Sequence, residues 1–139
     1  MALSNVSLAR LQTCDPRLQE IVVAVSKEFP LTVTCGHRTK EEQDAAYYAE
    51  KPTTQVKWPD SKHNSFPSMA VDIAPIEFVT GKPIIDWKDA ARFYYLAGHM
   101  MREAINRGVP LRFGGDWDKD TELKDNKFND LPHFEIVEV

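Results

Sequence analysis

The stretch "SMAVDIAPI" at residues 68–76 constrains this chain more than any other. Apolar, strand-forming residues run through it, as in a strand buried within a sheet. One carboxylate, Asp72, interrupts the run between Val71 and Ile73. A buried carboxylate without a partner is costly, so the fold must bring a counter-charge or a cation to it. Alternation places Asp72 on one strand face with Ala70 and Ala74, whose small side chains leave room beside it.

The flanking pattern reads as one α+β domain over residues 1–139, long enough for a real core but not for two. Residues 15–29 predict a helix, with Asp15 as N-cap and Pro16 at the first helical position. Leu18, Ile21, Val22, Val25 and Phe29 recur at helical spacing, and Pro30 ends the segment. Residues 31–35, "LTVTC", predict a strand followed by a turn at Gly36. Thr39 and Glu42 form a capping box opening a helix over 39–51. Residues 52–67 are polar and broken by proline, and read as a loop. The longest helix is expected over 86–108, with Asp86 near its start and Gly108 closing it. A strand over 110–115, an acidic loop over 116–130 and a last strand over 132–139 complete the chain. Helices come first and the strands are mostly short and late. That order favours helices packed on a small antiparallel sheet over a doubly wound sheet.

Composition narrows the function. A formal net charge of −4 and the lack of a basic stripe weigh against a nucleic-acid partner. Cys14 and Cys35 form no CxxC and no disulfide framework, so they read as free or buried thiols of a reducing compartment. The N-terminus lacks a basic region followed by a long apolar run, and no stretch approaches the ~20 apolar residues of a membrane span. Neither a signal peptide nor membrane insertion is expected.

The partner expected for Asp72 is a metal ion. Zinc takes imidazole, thiolate and carboxylate ligands, and a catalytic zinc uses three of them. The histidines are His37, His63, His99 and His133. His63 lies in the loop just before the Asp72 strand, and that loop can fold back over the strand end. His133 follows Pro132, which biases Leu131 towards extended backbone and lets His133 open the last strand with Glu135 on the same face. Asp130 sits three residues earlier, where a carboxylate can stand beside a metal rather than on it. Taken singly, a His or Asp is more often a satisfied polar residue than a ligand. His99, within a helix beside Met100 and Met101, reads that way, and His37 stays open.

Together these segments resemble the lysostaphin/D-Ala-D-Ala peptidase/hedgehog class of zinc peptidases. "SKHNSFPSMAVD" resembles its Ser-x-His…Ala-x-Asp signature and "NDLPHFEI" its acidic-x-x-His motif. "TCGHRTKEEQ" resembles its Gly-aromatic-Arg-Ser/Thr segment, with His37 in the aromatic place. The likeness runs from about Leu31 to the end and is nearest to phage endolysins that cleave the L-alanyl-D-glutamate bond of peptidoglycan. The resemblance implies zinc on His63, Asp72 and His133, Asp130 as general base, Arg38 as oxyanion or substrate contact, and Ser61 as a further substrate contact. A salt bridge from Arg38 to Glu41, Glu42 or another acid is the competing reading of that residue. Eight residues separate His63 from Asp72 where the commoner pattern has six with a glycine, so the loop must bulge. It further implies a monomer held in the host cytoplasm until a holin gives it access to the wall. The alternatives are a D-Ala-D-Ala dipeptidase or carboxypeptidase, and a non-catalytic zinc-stabilised binding module.

The acidic loop poses a second metal question. Asp116, Asp118, Asp120 and Glu122 alternate like the first half of a calcium loop. Thr121 replaces the glycine of position six and Lys127 the glutamate of position twelve. A solvated surface turn and a weak calcium site both fit.

Overall fold

The computed structural model describes residues 3–124 and 129–138. Four α-helices are seen among them: α1 (Asn5–Leu11), α2 (Pro16–Ser26), α3 (Lys40–Tyr47) and α4 (Ala90–Arg107). The strands are β1 (Leu31–Cys35), β2 (Ala70–Pro75), β3 (Glu77–Val79), β4 (Lys82–Ile84), β5 (Leu111–Phe113) and β6 (His133–Ile136). Strands β1-β2-β6-β5 form one antiparallel sheet in that order, and β3-β4 form a separate hairpin. The α+β architecture expected from the element order is the one observed.

The sheet has two chemically distinct faces. Val33, Val71, Ile73, Phe134, Ile136, Leu111 and Phe113 belong to one buried cluster with Leu18, Ile21, Val22 and Val25 of α2 and Leu96, Ala97, Met100 and Ala104 of α4. Strand alternation sends their neighbours to the opposite side. Asp72, His133, Glu135 and Arg112 stand there, cross-strand paired as Asp72 with His133 and Arg112 with Glu135. The hydrophobic face anchors the sheet and the other is left for polar chemistry.

The element ends follow local rules. Asp15 caps α2, with its Oδ1 accepting from the Arg17 backbone at 2.9 Å. The Thr39–Glu42 capping box opens α3. That helix stops at Tyr47 rather than Lys51. α4 is capped by Asp89, while Asp86 caps the preceding turn through the Lys88 N–H. Gly108 closes α4 at φ 67°. The strand expected over 110–115 ends at Phe113, and β6 is shorter than the run 132–139, whose last residue lies outside the described ones.

Two elements go beyond the sequence reading. α1 has Ser4 as N-cap and lies along edge strand β1. Ser7 Oγ accepts from the Val33 N–H at 2.9 Å and Arg10 Nη1 donates to the Val33 carbonyl at 3.0 Å. These bonds satisfy backbone groups of the sheet edge. The β3-β4 hairpin turns at Thr80 and Gly81, with φ of 48° and 81°. Positive φ at both positions is the tight primed turn, for which threonine gives no sequence signal.

Candidate active site

The polar face carries a cleft of about 360 Å³. His63, Asp72, His133, Asp130, Arg38 and Ser61, all singled out from the sequence, line it. They arrive from several elements. His63 lies in one turn of 3-10 helix, Lys62–Asn64, inside the segment expected to be loop. Ser61 caps that turn, its Oγ accepting from the His63 N–H at 3.2 Å. Asp72 is on β2 and His133 opens β6 opposite it. Asp130 precedes β6, with its N–H on the Gly114 carbonyl at 2.9 Å and its carbonyl accepting from the His133 N–H at 3.1 Å.

Asp72 Oδ1 is the hub. It lies 3.2 Å from His63 Nε2 and 3.1 Å from His133 Nδ1. The remaining ring nitrogens are tied outward. His63 Nδ1 lies 2.7 Å from the Gly36 carbonyl, and His133 Nε2 lies 2.8 Å from Glu135 Oε1. A carbonyl or carboxylate oxygen there only accepts, so each outward nitrogen carries the hydrogen. When the imidazoles are neutral, the two inward nitrogens are left with lone pairs beside Asp72. Glu135 is itself held by Arg112 Nη2 at 2.7 Å.

Electrostatics follow from burial and pairing. Burial opposes charge on both imidazoles, yet the Asp72 carboxylate outweighs it. His63 is raised to about 10, and His133, which also faces Glu135, to about 9. Burial likewise opposes charge on Asp72, but both histidines hold it well below the usual carboxylate range. Glu135 is lowered to about 2 by His133 and Arg112 against its own burial. Asp130 moves the other way: burial, then the charge of Asp72, raise it. A cluster that holds protons this firmly suits a cation, which would replace them.

The donors fit zinc on three counts. The residue types are imidazole and carboxylate. The outward hydrogen bonds are the supports that orient metal-binding histidines. Two of the three donor separations, 3.1 and 3.2 Å from the Asp72 oxygen, approach the roughly 3.3 Å edge of a tetrahedron with ~2.0–2.1 Å bonds. The cleft group whose donor atoms all lie within 4.8 Å of one another is Cys35, His63 and Asp72; His133 meets Asp72 Oδ1 but stands outside that group. The Cys35 sulfur, however, lies 3.7 Å from His63 Nδ1, the nitrogen already engaged by Gly36.

Arg38 makes the salt bridge of its competing reading, but to another acid, Asp72. It pairs with neither Glu41 nor Glu42; Nη1 donates to Gln43 Oε1 at 2.9 Å and Nη2 stands 3.9 Å from Asp72 Oδ2. Gln43 is buried and also donates to the Val56 carbonyl, tying α3 to the cleft wall. Arg112 and Trp117 line the cleft and Gln43 supports Arg38 from behind it, and the sequence did not single out any of the three. Gln43 gave a signal in retrospect, as a polar residue five positions after Arg38 on the side of α3 that packs inward. The Trp117 ring lies 5.5 Å from that of His133.

The remaining candidates fall outside the cleft. His37 bonds the Ser65 carbonyl and meets the Phe66 ring, and His99 stacks on Tyr95 beside Glu28. Both cysteines are free thiols, and burial pushes Cys14 up to about 12. Asp116, Asp118 and Asp120 cluster, their oxygens within 4.8 Å of one another. Glu122 is not part of that cluster; its N–H donates to Asp120 Oδ1 at 2.8 Å. Asp125 and Lys127 of the same loop lie outside the described residues.

The fold and cleft define a small α+β protein with a histidine–carboxylate centre on the open face of its sheet. The chain belongs to the phage L-alanyl-D-glutamate peptidase family, which it matches over residues 1–137. It is 29% identical over 132 residues to the L-alanyl-D-glutamate peptidase of Escherichia phage T5, covering 92% of each protein. Its fold is similar to that of the Serratia marcescens L-Ala D-Glu endopeptidase ChiX, with a TM-score of 0.69 over 98% of this chain and 90% of that one at 21% identity. Among the described residues no helix is long and apolar enough to cross a membrane.

Proposed function

We propose that this protein is a zinc-dependent endolysin that hydrolyses the L-alanyl-D-glutamate bond of peptidoglycan stem peptides and so lyses the bacterial host. One observation carries the zinc assignment: His63 and His133 turn their inward nitrogens to a shared Asp72 oxygen while their outward N–H groups are tied to Gly36 and Glu135. His63 Nε2, Asp72 and His133 Nδ1 would hold the ion. Bound there, zinc supplies Lewis acidity for the scissile carbonyl and activation of water near neutral pH.

The chain's own groups do the rest. Asp130 accepts the proton of the attacking water and passes it to the leaving amine. Its raised proton affinity suits both halves of that exchange. Arg38, held by Gln43, stabilises charge developing on the carbonyl oxygen. Ser61, at the cleft edge, contacts the substrate backbone. The protein acts as a monomer, stays in the host cytoplasm and reaches the wall when a holin opens the membrane.

Digestion of purified peptidoglycan with mass analysis of the fragments tests this reading. New L-alanine carboxyl and D-glutamate amino termini are expected, lost in chelator and restored by zinc. Release of free D-alanine would transfer the assignment to a D-Ala-D-Ala peptidase.

A weak calcium site in the acidic loop belongs to the same proposal. Asp116 Oδ1 is buried and lacks a hydrogen-bond partner among the described residues, and burial with Asp118 and Asp120 raises the Asp116 carboxyl. A cation would relieve that repulsion among Asp116, Asp118 and Asp120. Calcium titrated into chelator-treated, zinc-restored enzyme should change activity at millimolar concentration; no change leaves a solvated turn.

A further inference from the structure

A glutamyl residue joined through its amine to alanine carries two carboxyls, and only one continues the peptide. The other is free, sits on the amine side of the scissile bond and is ionised at neutral pH. Taking it into a cleft is costly unless a cation meets it.

Three cationic side chains line the cleft: Arg38, Lys62 and Arg112. Arg38 is engaged by Gln43, by the Cys35 sulfur at 3.7 Å and by Asp72. Lys62 is exposed, a solvated ammonium on a flexible stem. Arg112 differs from both. Its Nη2 donates to Glu135 Oε2 at 2.7 Å, and its guanidinium carbon lies 5.7 Å from the Trp117 ring centroid. The ion pair and the ring fix its orientation before substrate arrives. The Glu135 contact takes one of its five N–H donors; Nε is buried and has no hydrogen-bond partner among the described residues. An oriented guanidinium with donors to spare is suited to a planar carboxylate.

Its position also suits the role. Arg112 pairs with Glu135 in the β5–β6 register, so it is a diagonal neighbour of His133 on the same sheet face, roughly 7–8 Å away. The carboxylates lining the cleft are Asp60, Asp72, Asp130 and Glu135, one more than the cations. A bound divalent ion turns that balance positive and favours an anionic substrate.

We infer that Arg112 binds the free carboxylate of the glutamyl residue on the amine side of the scissile bond and so sets specificity for that residue. This rests on the reading of the cleft as an L-alanyl-D-glutamate peptidase.

Two synthetic stem peptides test it, identical except that one bears the free carboxylate and the other its carboxamide. The zinc-loaded wild type should cleave the carboxylate form with a KM about 10- to 100-fold lower, the range of one charge-assisted contact. Arg112→Gln should raise KM for that substrate far more than for the carboxamide and level the two. Arg112→Lys should restore part of the preference. The ratio is internal to each preparation, so it does not depend on how much of the variant is folded or metal-loaded. A purely structural role through Glu135 and His133 would lower kcat on both substrates alike and leave the ratio standing. A preference unchanged in Arg112→Gln, or absent in the wild type, overturns the inference while the peptidase reading survives. Cleavage of neither peptide by the wild type overturns both.

Discussion

Asp72 and His133 face each other across β2 and β6, with Oδ1 3.1 Å from Nδ1. The antiparallel register makes them a direct cross-strand pair, so their approach is set by sheet geometry rather than by loop conformation. His63 then closes on the same oxygen from the preceding 3-10 turn. A centre built this way is rigid where the metal is proposed to bind, and its weak points are the outward hydrogen bonds that aim each ring.

Glu135→Gln tests one of those bonds. The amide can still accept from His133 Nε2, but the charge that raises the ligand's basicity is gone. Zinc affinity should fall about 10- to 100-fold with the fold intact. Competition with a chromogenic chelator measures it, and an unchanged affinity would remove Glu135 from the support of the centre.

Asp130→Asn should keep zinc and fold while kcat falls ~10²–10⁴-fold, because the amide cannot take a proton from water. Zinc content and circular dichroism establish the first half and turnover of a stem peptide the second. Near-normal turnover would pass the role to another carboxylate of the cleft.

The sequence made the candidate residues legible because the chemistry is carried by rare side chains in ordered segments. Asp72 stood out as the one charge in an apolar strand, and His133 by its place after Pro132. The main core helices were equally plain from their spacing and caps. Elements whose reason lies elsewhere in the fold were hidden. α1 is short, and its side chains find their partners on β1, far along the chain. The β3-β4 hairpin turns on a threonine at positive φ. Arg112 reads locally as a polar residue in a strand, and only the register with Glu135 brings it to the cleft.

Metal-free protein should show a stability maximum in mildly acid solution. Against the cost of burial, Asp72 raises His63 to about 10 and His133 to about 9, from an ordinary 6.5. The folded state then binds protons that the unfolded chain has released. That contribution is complete below about pH 6.5 and is lost as pH rises through 9 to 10. Glu135, lowered from 4.5 to about 2, contributes above its unfolded value and loses that contribution as pH falls. Thermal unfolding in chelator should therefore give the highest Tm between about pH 4.5 and 6.5. A Tm climbing steadily from pH 6 to 9 would contradict the pairing of these groups.

Gly114 sets where Asp130 stands. Its N–H donates to the His133 carbonyl at 2.8 Å and its carbonyl accepts from the Asp130 N–H at 2.9 Å, so it bridges the segment that holds the base and the strand that holds the ligand. A Cβ on Gly114 would run into the Asp130 carbonyl oxygen, a backbone atom that cannot swing aside. Gly114→Ala must push the Asp130 segment outward, at a cost of about 1–3 kcal/mol. Asp72 and His63 do not depend on that contact, while the His133 N–H rests on the Asp130 carbonyl at 3.1 Å, so kcat should fall further than zinc content. Gly98→Ala is the matched control: it lies within α4, a Cβ there meets nothing within 4 Å, and helix propensity predicts a gain of about 0.8–1 kcal/mol with activity unchanged. Full activity in Gly114→Ala would mean that the reach of Asp130 into the cleft does not depend on this contact.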